Sequence, residues 1–314
     1  MVGRAAARAV RDPEIADRVR GALDTAHHMG METMLLHEPG YPPRLLHLAD
    51  PPPVLFLRGR RELLATPGIA VVGARRSTER ARRAAHRLSA AVAAAGAPVV
   101  SGLALGVDGA AHEGALDARG PTVAVLGRGA DRAYPRSHAP LFRRILSQGL
   151  VVSEFLPGTP PLPHHFPRRN RILAALSRAV VVVEAGARSG ALITVEHGLD
   201  LGLDVWAMPG PFGESWCAGS NALLADGARA LVSIRGFLRD ALGVDDVEDA
   251  PVGGEIRDGE AGRILGALTD GGHTVDEIAR ATGLTSARTL TLLSGLELDG
   301  WVERTPGMRF RRAS

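Results

Sequence analysis

From residue 68 onward one pattern repeats along the chain: a short apolar run closes on a small residue, and a stretch with helical spacing follows. Residues 69–73 lead into a helix over 79–95, and 98–102 lead into 107–118. Residues 122–127 lead, through a Tyr134-Pro135 turn, into 138–147. Residues 150–153 precede a proline-rich loop and a helix over 170–176. Residues 179–183 lead into 190–201, and 204–208 end in Pro-Gly-Pro. Strands apolar at nearly every position, alternating with helices, predict an α/β fold in which a parallel sheet is covered by helices on both faces.

Before residue 40 the pattern is weak, and residues 1–39 read as a short, divergent helical segment. Pro51, Pro52 and Pro53 stop any helix, and 54–57 form a short strand in an entry segment that clasps the next domain. The core spans 40–236, an acidic linker 237–259, and a compact unit 260–314. In that unit a helix over 260–268 precedes a second that starts after Thr274, whose hydroxyl makes a capping box with Glu277. Gly283 ends it, Thr285 caps a third helix to residue 298, and 301–310 read as two strands around a Pro-Gly turn. Three helices and a hairpin predict a small C-terminal winged-helix domain.

The 314 residues suit two domains, and 45% hydrophobic content supplies a sizeable core. No stretch approaches the about 18 apolar residues of a membrane span, so no membrane partner is expected. Asp12 and Glu14 arrive early with no apolar segment after them, which argues against a secretory leader. The single cysteine, Cys217, excludes an intrachain disulfide and a multi-cysteine metal cluster. It reads as a semi-buried small hydrophobe or a reactive thiol, and cytoplasm is the default location. The net charge of +3 is unevenly spread: residues 69–236 hold 19 arginines and 12 acids. All 37 basic residues are arginines, whose planar donor fork suits phosphate oxygens. That balance favours a polyanionic partner over a small neutral substrate, with a merely soluble charged surface as the other reading.

Ligands of open parallel sheets bind where loops leave the carboxyl ends of strands. Four such loops are glycine-rich, at 73–77, 101–106, 127–129 and 185–190, and they carry Arg75, Arg76, Arg128 and Arg188. Glycines permit tight turns with exposed amides, and the helix N-termini that follow favour anions. The first loop reads Gly-Ala-Arg-Arg-Ser where a dinucleotide site wants Gly-x-Gly-x-x-Gly. No Walker lysine exists, which excludes a P-loop ATPase or kinase. Arg75 reads as a phosphate ligand or as a structural, capping arginine.

The loop over 157–163 is stiffened by prolines and delivers His164-His165-Phe166-Pro-Arg-Arg-Asn-Arg171 to the start of a helix. This density of arginine, amide and aromatic suits backbone phosphates with a base stacked on Phe166. A buried Phe166 with surface ion pairs is the competing reading. The His-His pair has no carboxylate or thiol at ligand spacing, so neither a metal nor a cofactor is expected. Candidates for hydrolysis are Asp108 and His112, four apart on one helical face, with Glu113 beside them, and Glu184 at a strand end. No Gly-x-Ser-x-Gly elbow is present, and a catalytic step is not expected.

Several of these segments form an ordered series: Tyr41-Pro-Pro-Arg-Leu, Gly73-Ala-Arg-Arg-Ser77, Ser101-Gly-Leu-Ala-Leu-Gly-Val-Asp108 and Leu126-Gly-Arg-Gly-Ala-Asp-Arg-Ala-Tyr-Pro135. Phe166-Pro-Arg-Arg-Asn-Arg171, Ser189-Gly-Ala-Leu-Ile-Thr194 and Pro209-Gly-Pro211 continue it. In order and spacing, over about residues 40–310, the chain resembles the bacterial DNA-processing protein A family, also called DprA or Smf. The resemblance implies an extended Rossmann-like core that binds single-stranded DNA and protects it during natural transformation. It also implies help in loading the RecA recombinase, and a homodimer built through the core. The family's DNA groove, carried over, uses Arg75, Phe166, Arg169, Asn170 and Arg171, while Ser77 and Gly102 lie in matching motifs and help shape it.

Four departures stand out. Pro163 stands where relatives often carry a basic residue, so one phosphate contact is missing or is supplied by Arg168 or His164. Ala191 stands where relatives have serine, and Cys217 where a small hydroxyl is common. Many members also begin with a longer helical, sterile-alpha-motif-like domain than residues 1–39 provide. The core further resembles the lysine-decarboxylase-like phosphoribohydrolases, but 184–190 lack their Pro-Gly-Gly-x-Gly-Thr-x-x-Glu, which leaves nucleoside-monophosphate hydrolysis as the alternative. The winged helix, in a stretch over 251–314 at net −1, reads as an accessory interaction domain, or as a DNA contact through Arg304, Arg309, Arg311 and Arg312.

Overall fold

The computed structural model describes residues 13–244, 259–268, 272–298, 301–305 and 307–312. Two compact units divide the chain, Met1–Asp245 and Asp246–Ser314. In the first, the strands are β1 (Glu32–Leu35), β2 (Val54–Gly59), β3 (Gly68–Val72), β4 (Val99–Ser101) and β5 (Thr122–Val125), then β6 (Leu150–Ser153), β7 (Ser177–Val182), β8 (Asp204–Ala207) and β9 (Arg229–Ala230). They form one sheet in the order β1-β2-β6-β5-β4-β3-β7-β8-β9. The helices are α1 (Pro13–His28), α2 (Glu79–Ala94), α3 (Val107–Asp117), α4 (Ala139–Gln148), α5 (His165–Ala175), α6 (Ala191–Asp200), α7 (Ala218–Ala225) and α8 (Ile234–Leu242).

The two-residue period of the strands feeds two cores. On β5, Val123 and Val125 pack with Ile172 of α5 and Val195 of α6, while Ala124 packs with Leu116 of α3 and Ile145 of α4. Helices on both faces explain why the strands carry no polar alternation.

Two antiparallel strands extend the expected parallel sheet at one edge. From β6 to β9 the strands are parallel, but β2 runs antiparallel to β6 and β1 antiparallel to β2. The segment that read as an entry clasp is a sheet strand, because Leu55, Phe56 and Leu57 are all buried between two neighbours. The expected boundary at residue 40 falls between β1 and β2, which the backbone pairs from Glu32↔Leu57 to Leu35↔Val54. The expected linker differs as well. Its first residues belong to α8, where Phe237 is fully buried and meets Trp206 edge-on at 5.1 Å. Residues 245–258 of that linker lie outside the described residues.

From β3 the chain steps through β4, β5 and β6 in one direction. Then α5 carries it back and lays β7 against the other side of β3. The loops leaving β3 and β7 therefore part at the carboxyl ends of two central strands, which opens a crevice at the topological switch point.

The second unit contains α9 (Gly259–Ala267), α10 (Val275–Thr282) and α11 (Ser286–Leu298), with strands β10 (His273–Thr274), β11 (Val302–Thr305) and β12 (Arg309–Arg312) in the order β10-β12-β11. Ile264, Ile278, Leu293, Val302 and Phe310 make its core. The capping box forms as expected, with Thr274 N donating to Glu277 Oε2 (2.8 Å) and Glu277 N donating to Thr274 Oγ1 (3.3 Å). This is a winged helix with an added strand, β10, too short for periodicity to reveal.

Candidate functional site

Helix α5 begins at His165, not at Asn170 as the sequence suggests. Pro167 sits in its first turn, where a missing N–H costs no helix bond. That earlier start sorts the arginine-rich segment. Residues three and four apart share a helix face, so Phe166, Arg169, Asn170 and Leu173 line one wall of the crevice. Arg168 and Arg171 fall on another face.

The crevice is a groove of about 630 Å³ between the loop after β3, helix α5 and the loop after β7. Arg75 and Arg188 stand exposed on its lining. The Arg75 guanidinium carbon lies 4.9 Å from the Phe166 ring centroid, and the Tyr134 ring lies 5.6 Å from it at a 33° tilt. Gly127 packs against the same ring so closely that a Cβ there would come within 2.9 Å of Phe166 Cδ1. A half-buried aromatic ring is thus bordered by one cation, one second ring and bare backbone.

Arg169 is only 4% exposed. Its Nη1 donates to the carbonyls of Gly102 (2.9 Å) and Val125, and its Nε to Asn170 Oδ1 (3.1 Å). The guanidinium occupies the space a Gly102 side chain would need, which is why glycine stands there. Burial pulls the Arg169 pKa down to about 10, with Asp108 pulling the other way. The group therefore keeps its charge near neutral pH. Asp108, itself buried, accepts from the amides of Gly102 (3.1 Å) and Ala104 (3.4 Å). Burial raises its pKa against the lowering pull of Arg169. Asn170 Nδ2 donates to the Gly190 carbonyl (3.2 Å), tying α5 to the loop before α6. Arg169 is a post beneath the groove, not a free cation on its rim.

The expected convergence of all eight site residues is corrected in its geometry. Arg75, Phe166, Arg169 and Asn170 meet at the groove. Gly102 lies behind Arg169. Ser77 is buried outside the groove lining, its carbonyl accepting from Arg82 Nη1 (2.7 Å). Arg171 is 7% exposed and makes a two-pronged pair with Glu154 (3.1 and 2.8 Å), with Asp50 at 3.5 Å. Arg168 also turns to Glu154 (3.3 Å). The helix period is the reason: at positions 168 and 171 it points both side chains towards the end of β6. Arg128, from another glycine loop, turns to Asp131 at 3.9 Å.

Two of the groups considered for hydrolysis, His112 and Glu184, are engaged elsewhere. His112 Nδ1 pairs with Thr122 Oγ1 (2.7 Å), and burial pushes its pKa down to about 3. The Glu184 carboxylate accepts from Thr78 N (2.9 Å) and Thr78 Oγ1 (2.6 Å), which fixes the start of α2. Tyr134 and Arg188 line the groove as well, although neither is among the site residues that the family resemblance carried over. Both were visible as loop residues after strands, but only the adjacency of β3 and β7 and the start of α5 bring them to one place.

Comparison with known proteins follows the same division. A family described as DNA recombination-mediator protein A matches residues 32–241, and a DprA winged helix domain matches 248–308. The first match begins at β1. The chain is 38% identical over 283 residues to Protein Smf of Escherichia coli (strain K12), covering 87% of this chain and 76% of that protein. It is 41% identical over 193 residues to DNA processing protein DprA of Streptococcus pneumoniae, covering 62% and 68% respectively. The X-ray structure of the Streptococcus pneumoniae protein superposes with a TM-score of 0.65 at 36% identity, over 74% of this chain and 83% of that one. Helicobacter pylori DNA processing protein A, whose structure addresses a unique single-stranded DNA binding mode, gives 0.62 at 30% identity, over 68% and 98%.

Proposed function

The chain belongs to the DprA/Smf family of DNA-processing proteins, and from that premise we propose that it is a single-stranded DNA-binding recombination mediator of natural transformation, a binding protein with no catalytic step. The observation that carries this reading is the Arg75 guanidinium poised 4.9 Å from Phe166 at the rim of the switch-point groove. Arg75 and Arg188 supply the charges for phosphates. Phe166 and Tyr134 supply faces for bases, which only an unpaired strand turns inward without losing its own stacking. A base reaches Phe166 by displacing the Arg75 guanidinium, which then turns to a phosphate. Arg169, Asn170 and Gly102 hold the groove floor, and Arg168 and Arg171 hold α5 in place.

The proposal extends to protecting the incoming strand and handing it to the RecA recombinase, in the cytoplasm where that partner acts. A homodimer through the core would set two grooves on one strand and raise affinity through effective concentration. None of the described helices is long and apolar enough to cross a membrane. Fluorescence anisotropy with single- and double-stranded oligonucleotides across a salt series is the test. Single strands should bind more tightly. Arg75→Ala should lower that affinity several-fold and flatten the slope of log K against log salt by about 0.7, one phosphate's share. Equal affinity for both forms, or an unchanged slope, refutes the assignment.

A further inference from the structure

The loop from β4 to α3 forms a ridge with a groove on either side. Ala104 lines the groove already described, whereas Leu105 and Gly106 line a second one of about 610 Å³. One wall is a stripe of α2, Arg82, Arg83, His86 and Arg87, at helical spacings of three and four. The facing wall is the small-residue side of α3 at Gly109 and Ala110.

The ridge is built under strain. Leu103 is fully buried yet holds φ 55, a left-handed conformation costly for a leucine, and its carbonyl accepts from His138 Nδ1 at 3.1 Å. Gly106, at φ 79, packs against the carbonyls of Ala74 and Arg75, where any Cβ would clash. Leu105 between them is left 46% exposed. Strain of this kind persists where the surroundings over-determine it, and it gathers in loops that contact ligands.

We propose that this second groove continues the nucleic-acid track: a phosphodiester chain leaving the first groove past Arg75 crosses the ridge over Leu105 and lays its next phosphates along the arginine stripe of α2. The proposal rests on reading the first groove as a single-strand site. Continuity supports it, because Gly106 touches the very loop that carries Arg75. Charge supports it too. The three arginines outnumber Glu79 and Glu113 in the same walls. Arg82 pairs with Glu79 at the surface, and an exposed pair exchanges for a phosphate at little cost. His138 packs over Gly109 and adds its ring to the facing wall.

The test uses the full chain carrying Arg83→Ala and Arg87→Ala together, with oligothymidylates of about 6 and about 20 nucleotides. Affinity for the short strand should stay within about twofold of the parent, since the first groove alone holds it. Affinity for the long strand should fall about tenfold at low salt, with its salt slope flattened by about 1.4 for two lost phosphates. Because Arg83 and Arg87 are half-buried, the exposed Leu105→Glu variant provides a second arm and should weaken the long strand only. Equal loss at both lengths, or no loss at either in both variants, overturns the proposal. A parent protein that binds neither length overturns the first-groove reading and this one with it, and is recognised before any variant is made.

Discussion

Arg169 offers the sharpest separation of support from contact. Replacing it with methionine keeps much of the volume and removes the charge. Two buried carbonyls, of Gly102 and Val125, and the Asn170 amide oxygen then lose their donor, at about 1–3 kcal/mol for each orphaned group. Asp108 loses the opposite charge that offsets its burial. Against this stands the relief of no longer burying a guanidinium. The net expectation for Arg169→Met is a loss of about 3–5 kcal/mol, the range for breaking a buried pair from one side. Arg75→Ala is the control. That side chain is exposed, and its loss removes one contact with Phe166, worth about 0.5–1 kcal/mol. Urea denaturation reads the difference as a shift in midpoint at unchanged m value. Strand affinity is measured beside it, at a temperature where both variants stay folded. If Arg169→Met unfolds within about 1 kcal/mol of the parent yet loses as much affinity as Arg75→Ala, the side chain is a phosphate ligand and the supporting role is wrong.

Two further outcomes follow from the buried polar groups. His112 has a folded pKa of about 3 against an ordinary 6.5, so between those values the unfolded chain binds a proton that the folded chain does not. Its stabilising share is therefore complete above pH 6.5 and declines as the pH falls toward 3, by up to about 1.4 kcal/mol per pH unit. His112→Gln, which keeps a partner for Thr122, should flatten that decline; the same loss of stability between pH 7 and pH 5 in both proteins would contradict it. In the winged helix, Thr274→Ala removes the capping box and should cost about 1 kcal/mol. Amide exchange within 275–282 should quicken while β3–β7 stay protected, and unchanged exchange there would argue against the cap.

Periodicity alone carried most of the architecture. The runs at 69–73, 122–127 and 179–183 are apolar on both faces, and only strands inside a covered sheet can use such residues. The capping box at Thr274 and the helix ending at Gly283 were equally legible, because caps are local chemistry. The glycine loops and their arginines were legible as a set. What local pattern could not supply was which loops are neighbours. Strand order is a property of long-range pairing, and the return of β7 to the side of β3 brings Arg188 and Arg75 to the lining of one groove.

The arginine-rich segment divides along the same line. Its composition announced a phosphate site, and Phe166 and Arg75 do lie together. Composition has no direction, however, and a proline in the segment masked the helix that gives it one. Once α5 starts at His165, a 3.6-residue period sends Arg169 inward beneath Gly102 and Arg171 away to Glu154. The residue types and the chemistry they favour belong to the amino-acid order. Which guanidinium stays exposed and which is spent on buried carbonyls was decided only by packing, because burial depends on neighbours far away in the chain.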